Sequence, residues 1–162
     1  MRTMGRRHGR RLLRIAAVGA ACSLLAACGG SPVTKSDVVA RGNAICAGAL
    51  RDIRAVPAPA GTAGSLAALS AYERQVAPIV EREAKAIQAL PKPSEERALL
   101  ERYMAAVARD AAQYRVLAGA AQADDAAGVA QALANLRESG AASLASEYGL
   151  TQCAAPGSTA VS

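Results

Sequence analysis

The sequence predicts an all-α domain, and three observations lead to that prediction. Alanine is very abundant, and alanine favours helix and the close approach of neighbouring helices. Strand formers are sparse, since the chain has no Trp, no Phe and only four Tyr. Apolar residues recur at spacings of three, four and seven, which places them on one face of a helix. Because the predicted connections are short, we expect an up-down four-helix bundle.

The first predicted helix runs from Asp37 to about Ala55, with Ser36 as its N-cap. Asp37 lies in the first turn, where the helix dipole favours a negative charge. Residues 57–64, which contain Pro, Gly and Ala, then end the helix. Its inner face carries Val38, Ile45, Cys46, Ala49, Leu50 and Ile53.

The second helix begins at Ser65, and Pro78 lies inside it. Proline lacks the backbone donor and clashes with the preceding turn, so we expect this helix to kink or split near residues 75–77. We interpret Pro78 as a static bend rather than a functional hinge. The inward positions are Leu66, Leu69, Tyr72, Val76, Ile79, Val80, Ile87 and Leu90.

The third helix is predicted from a cap at Ser94, with Glu95 and Glu96 in its first turn, to about Ala121. Its seam carries Leu100, Tyr103, Val107, Tyr114 and Leu117, with Asp110 at a position on the same seam. A buried acid is costly unless it is paired. We favour an Asp110 rotated toward the boundary; the alternative is a bond to a tyrosine hydroxyl or an arginine inside the bundle.

The fourth helix is predicted from a cap at Asp124 through Tyr148, and Gly149-Leu150 ends it. The N-terminal residues 1–27 combine six arginines, no acid and a 13-residue apolar run, which is the order of a secretory signal. That run would cover roughly 20 Å as a helix, less than the roughly 30 Å hydrocarbon core of a bilayer. It is therefore a poor permanent membrane span.

The segment Leu25-Ala26-Ala27-Cys28, followed by Gly29, resembles the lipobox of bacterial lipoproteins. The resemblance implies that Cys28 is lipidated, becomes the first residue and anchors the protein to the outer face of the cell membrane, or to the outer membrane of a cell with two membranes. The alternative is a secreted protein in which Cys28 is an ordinary thiol. Residues 10–13 are also similar to a twin-arginine signal, which leaves the export route open.

We therefore expect four parts: a signal peptide over 1–27, a lipidated tether over 28–35, a helical bundle over 36–153 and a C-terminal tail over 154–162. The short tether predicts a bundle that sits close to the membrane. Of 19 basic and 13 acidic residues, six basic and no acidic ones lie in the signal, so the processed chain has 13 of each. This balance argues against a nucleic-acid partner.

The cysteines predict a disulfide between Cys46 and Cys153. Cys22 leaves with the signal and Cys28 carries lipid, so these two remain as an even pair in an oxidising compartment. Two buried free thiols are the alternative. The segments 43–46, 90–93 and 148–153 (NAIC, LPKP and YGLTQC) are similar to those of small helical lipoproteins and secreted proteins of actinobacteria. This resemblance supports the fold and the disulfide and implies no activity.

The processed chain lacks histidine, because His8 lies in the signal. This removes the commonest general base and metal ligand, and we find no Gly-rich phosphate loop. The pairs Glu81/Glu83 and Glu95/Glu96 are predicted to lie on solvated faces, since residues one or two apart on a helix do not face each other. We therefore predict that the protein is not an enzyme and binds no cofactor and no metal. The lipid on Cys28 is the one non-protein group that we expect.

Two functional hypotheses follow. The first is a non-catalytic module, tethered to the membrane by its lipid, that presents a helical surface to a protein partner of the cell envelope. The second is a lipoprotein that binds a small ligand in a pocket between the second and third helices, formed by Tyr72, Tyr103 and Asp110. For the tyrosines, core filling is the simpler interpretation. The oligomeric state is left open.

Overall fold

The computed structural model describes residues 32–57 and 65–155. Within these ranges the chain is all-helical and has no strand, which confirms the predicted class. The helices are α1 (Lys35–Ala55), α2 (Leu66–Gln88), α3 (Arg97–Gln122), α4 (Ala126–Arg137) and α5 (Ala141–Tyr148). The predicted signal, Cys28 and the end of the predicted tail lie outside the described residues.

Helix α3 is the centre of the packing, since it contacts α2, α4 and α5, while α1 contacts α2. The apolar core has two clusters. The larger one joins α1, α2, α3, α5 and the segment after α5, and includes Val38, Ile87, Leu100, Tyr103 and Leu150. The smaller one joins α3 and α4 through Leu117, Ala121, Val129, Ala132 and Leu136.

Helix α1 begins at Lys35, two residues earlier than the predicted start at Asp37. Thr34 is the N-cap, and its hydroxyl accepts from the backbone N–H of Asp37 at 3.2 Å. The backbone N–H of Thr34 donates to the Asp37 carboxylate at 3.0 Å, which completes a reciprocal capping box. The prediction of Ser36 as the cap was therefore wrong. The Thr34–Asp37 pair gives a hydrogen-bond acceptor to two backbone N–H groups at the start of the helix, whereas a single capping side chain serves one.

Helix α2 has the predicted N-cap, since Ser65 Oγ accepts from the N–H of Ala68 at 3.1 Å. The helix continues through Pro78 without interruption, so the predicted split at this proline does not occur. Pro78 and Arg74, whose carbonyl loses its usual donor, are both exposed. Water can therefore replace the missing backbone bond, which makes the proline tolerable at this position.

Helix α3 begins at Arg97, three residues after the predicted cap Ser94. Glu96 precedes the helix with a φ of 49°, in the left-handed region. Its carboxylate lies 2.7 Å from Nζ of Lys35, and the Glu95 carboxylate accepts from the backbone N–H of Lys35 at 3.1 Å. These two acids bind the start of α1 instead of lying in the first turn of α3.

The predicted fourth helix is two helices. Gly140 adopts a φ of 70° between α4 and α5, a conformation that glycine takes without strain. Asp125, not the predicted Asp124, caps α4 by accepting from the N–H of Gly128 at 2.9 Å. At the other end Gly149, with a φ of 97°, closes α5 as predicted. The break thus occurs in the last helix and not at Pro78.

A disulfide joins Cys46 to Cys153, with the Cα atoms 5.1 Å apart and both residues 1% exposed. Asn43 reinforces the junction, because its Oδ1 accepts from the N–H of Gln152 at 2.9 Å. The segment that follows α5 is therefore held across α1, as the sequence predicted. No helix in the described ranges is both long and apolar enough to cross a membrane.

Candidate functional site

Three acidic residues are buried in the described part of the chain: Glu73, Glu83 and Asp110, with exposures of 4%, 5% and 4%. The prediction that Glu83 lies on a solvated face was wrong. Glu73 and Glu83 continue the inner row of α2, since residues 73, 76, 80, 83 and 87 follow alternating spacings of three and four. That spacing is the sequence signal by which both acids could have been found.

Asp110 is the most informative of these acids. Its Oδ2 accepts a hydrogen bond from Ser139 Oγ at 3.0 Å, while its Oδ1 is buried and has no hydrogen-bond partner in the protein. Burial raises the pKa of Asp110 to about 6, although the Ser139 bond and the charge of Arg109 act in the opposite direction. Asp110 is thus neither at the boundary nor bonded to a tyrosine or arginine.

The break between α4 and α5 is what brings Ser139 to Asp110. Ser139 lies just before Gly140, and its Oγ also accepts from the backbone N–H of Ala141 at 3.2 Å, which helps to cap α5. The hydroxyl therefore bridges the start of one helix and a carboxylate on another. If the fourth helix were continuous, as predicted, no helix would begin at Ala141 and Ser139 would have no helix start to cap.

A polar cleft of about 230 Å³ opens beside this bond, between α3 and the end of α4. A short amide relay runs through its wall: Gln131 donates to Asn135 at 2.9 Å, and Asn135 donates to Gln113 at 3.1 Å. The relay fixes the orientation of both amides that line the cleft. The six lining residues are Arg109, Asp110, Gln113, Asn135, Glu138 and Ser139, all of them polar.

The two tyrosines of the predicted pocket lie elsewhere. Tyr103 is 1% exposed in the larger core cluster, and its hydroxyl is 3.9 Å from Sγ of Cys46. Burial, with the nearby charges of Glu83 and Asp110, raises the pKa of Tyr103 above its usual range. Tyr72 is half-buried on α2. Asp110 lines the cleft between α3 and α4, and neither Tyr72 nor Tyr103 lines that cleft.

Glu73 is a second buried acid with an unsatisfied atom. Its Oε2 is buried and has no hydrogen-bond partner in the protein. Burial alone raises the pKa of Glu73 to about 7, because an apolar environment disfavours the charged carboxylate. On the same face of α2, Leu69 and Val76 lie in the two core clusters, while Ser70, three residues before Glu73, is polar and 5% exposed. Burial of Glu73 thus disfavours its charged form.

The buried acids do not form a metal site. In residues 32–57 and 65–155, no three acidic, cysteine or histidine side chains are grouped so that they could hold a metal ion. The polar cleft at Asp110 is therefore the candidate site that the geometry supports best. Comparison with protein-family models, curated proteins and solved structures gave no match, so the assignment of a function depends on these residues and their arrangement.

Proposed function

We propose that this chain is an extracytoplasmic protein, anchored by lipid on Cys28, that acts as a non-catalytic interaction module of the cell envelope. The observation that carries the proposal is the disulfide between Cys46 and Cys153. Such bonds persist in oxidising compartments outside the cytoplasm. The bond uses the two cysteines that remain when Cys22 is removed and Cys28 is acylated, so the cysteine count and the N-terminal pattern support the same location.

The start of the described domain supports a bundle held close to the membrane. Thr34 is already fixed by its capping box, and Lys35 is bound to Glu95 and Glu96 at the connection between α2 and α3. The seven residues from Cys28 to Thr34 are separated by six steps and can span at most about 20 Å when extended. The proposal therefore places the end of the bundle that carries Lys35 nearest to the bilayer, and leaves the connection between α3 and α4 for contact with partners.

The proposal includes the up-down arrangement of four helical columns, in which α4 and α5 together form the fourth. The short connection of residues 123–125 between α3 and α4 supports antiparallel neighbours. Catalysis plays no part in the proposal. Without histidine in the processed chain, and with both structural cysteines bonded, carboxylates and tyrosines are the main groups left for acid–base chemistry.

Metabolic labelling with a clickable fatty acid tests the anchor. The full chain should take up the label, and a Cys28→Ser variant should lose it, whereas Cys22→Ser is the matched control and should stay labelled. Equal labelling of the parent and Cys28→Ser would refute the anchor. Crosslinking in intact envelopes tests the partner: the parent should capture a protein that Cys28→Ser, which lacks the anchor, captures much less. Capture of the same proteins by both would count against the module.

A second candidate function is the binding of a small ligand, and Asp110 is the observation that favours it. A buried carboxylate oxygen without a protein partner, next to a polar cleft, is unusual in a native structure and calls for an explanation. This candidate differs from the sequence-based hypothesis in its place, since the cleft lies between α3 and α4 rather than between α2 and α3.

A further inference from the structure

We propose that the cleft between α3 and α4 binds a small molecule through a primary ammonium group, which Asp110 receives. The inference rests on the second candidate function and specifies its site and its ligand class. It does not depend on the lipid anchor or on a protein partner.

The first step is the unused bonding capacity of Asp110. An ionised carboxylate can accept about four hydrogen bonds, and Ser139 Oγ supplies one, on Oδ2. Oδ1 has none, although it is buried, and the whole residue is only 4% exposed. Leaving a buried charged group without partners is costly. Because burial reduces screening by water, a cation that enters the cleft would interact with Asp110 more strongly than with an exposed carboxylate.

The second step is the sign of the charge. The cleft is lined by two carboxylates, Asp110 and Glu138, and by one guanidinium, Arg109. Its formal charge is thus negative, which favours a cation over an anion. A divalent metal fits poorly, since the cleft has only two acidic side chains and, within the described residues, no three acidic, cysteine or histidine side chains are grouped so that they could hold a metal ion. An organic cation is the remaining class.

The third step separates ammonium from guanidinium. A guanidinium binds a carboxylate through two parallel N–H bonds and needs both oxygens. Ser139 already bonds Oδ2 of Asp110, and Oδ1 is buried from solvent, so a planar fork in the cleft cannot reach both oxygens and a compact point charge fits better. The amides of Gln113 and Asn135 are oriented by their own bond and can contact a polar part of the same ligand. The cleft volume of about 230 Å³ accommodates an ammonium group and a few further heavy atoms.

The experiment is a titration of the full chain in detergent micelles, followed by NMR. The probes are ethanolamine and L-alanine, which carry the ammonium group as a simple amine and as an amino acid, and N-acetylethanolamine, which lacks the charge. We expect saturable shifts of the side-chain amide signals of Gln113 and Asn135 at about millimolar concentrations with either charged probe, and none with the acetylated one. Binding of L-alanine alone would support an amino acid as the source of the ammonium group.

The Asp110→Asn variant should weaken binding at least about tenfold, because the amide keeps the shape but removes the charge. Asp52→Asn is the matched control and should bind like the parent, since Asp52 is an exposed acid on α1 paired with Arg82 at 3.4 Å. A second measurement needs no variant. Saturating ethanolamine should lower the pKa of Asp110, read from its carboxyl ¹³C shift in the parent protein.

Three results would overturn the inference: no saturable shift with either charged probe, equal shifts with N-acetylethanolamine, or unchanged binding by a folded Asp110→Asn variant. A variant that fails to fold leaves the carboxyl titration of the parent as the deciding measurement, and an unchanged Asp110 pKa there is also a refutation. None of these results affects the labelling of Cys28. Failure of the site can therefore be distinguished from failure of the proposed anchor and partner.

Discussion

Replacement of Glu73 by glutamine should change the pH dependence of stability. Glu73 is 4% exposed on α2, its Oε2 lacks a partner, and burial raises its pKa from 4.5 to about 7. In the unfolded chain the carboxyl ionises near its ordinary pKa. Between these two values the folded state holds more protons than the unfolded state, so this residue makes stability fall as the pH rises.

The size of the effect follows from the displacement of the pKa. A shift of one pKa unit corresponds to about 1.4 kcal/mol, so the full displacement of Glu73 sets an upper limit of about 3 kcal/mol at pH 8. At pH 4 the carboxyl is mostly neutral in both states and the cost is small. Glutamine cannot ionise and removes the pH-dependent part. Its amide adds a pH-independent cost of about 1 to 3 kcal/mol for unpaired donors.

The assay is urea unfolding of the full chain, followed by far-ultraviolet circular dichroism at pH 4 and pH 8. The free energy of unfolding of Glu73→Gln, relative to the parent, should rise by up to about 3 kcal/mol between these two pH values. Glu101→Gln is the control, because Glu101 is exposed on α3 and pairs with Lys92 at 3.5 Å. A difference between Glu73→Gln and the parent that is the same at both pH values would refute the reasoning.

Two further predictions concern the covalent and steric junction of α1 with the segment after α5. Replacing both Cys46 and Cys153 by alanine should lower the free energy of unfolding by about 4 to 5 kcal/mol in the chain-entropy model, measured by urea unfolding, and two separately alkylatable thiols in the unreduced parent would contradict the bond. Gly42→Ala should be less stable than Gly48→Ala by about 1 to 3 kcal/mol, since a methyl group at Gly42 collides with the buried Leu150 side chain while the one at Gly48 has room. Both glycines lie in α1, so the helix-propensity gain cancels in the comparison, and equal thermal stabilities would show that Leu150 yields freely.

The sequence predicted the features that depend on local chemistry. Ser65 caps α2 and Gly149 ends α5 because a side-chain oxygen and an unhindered backbone are required at those places. The pairing of Cys46 with Cys153 followed from counting the cysteines that would remain after the predicted removal of Cys22 and the predicted lipidation of Cys28. Each of these features is decided by one or two residues, so neighbouring structure is not needed to predict it.

Other features depend on contacts between distant segments and could not be predicted in this way. Ser36 is a good cap in isolation, but Thr34 forms two bonds with Asp37, and Lys35 is held by the connection before α3. The break at Gly140 coincides with a Ser-Gly pair, a local turn signal that the helical spacing of Leu136, Gly140 and Leu144 outweighed in the prediction. Because Ser139 reaches Asp110 only through that break, the seam position of the acid was predictable while its partner was not.

The bond between Cys46 and Cys153 also determines what one proteolytic cut can do. Residues 58–64 lie between the two cysteines in sequence, so hydrolysis of a single peptide bond there leaves both fragments covalently joined. On a denaturing gel, a nicked chain would migrate as one species when no reductant is present and as two species when a reductant is added. If Cys28 carries lipid, the larger fragment would be released from the membrane only after both the disulfide is reduced and the fragments separate.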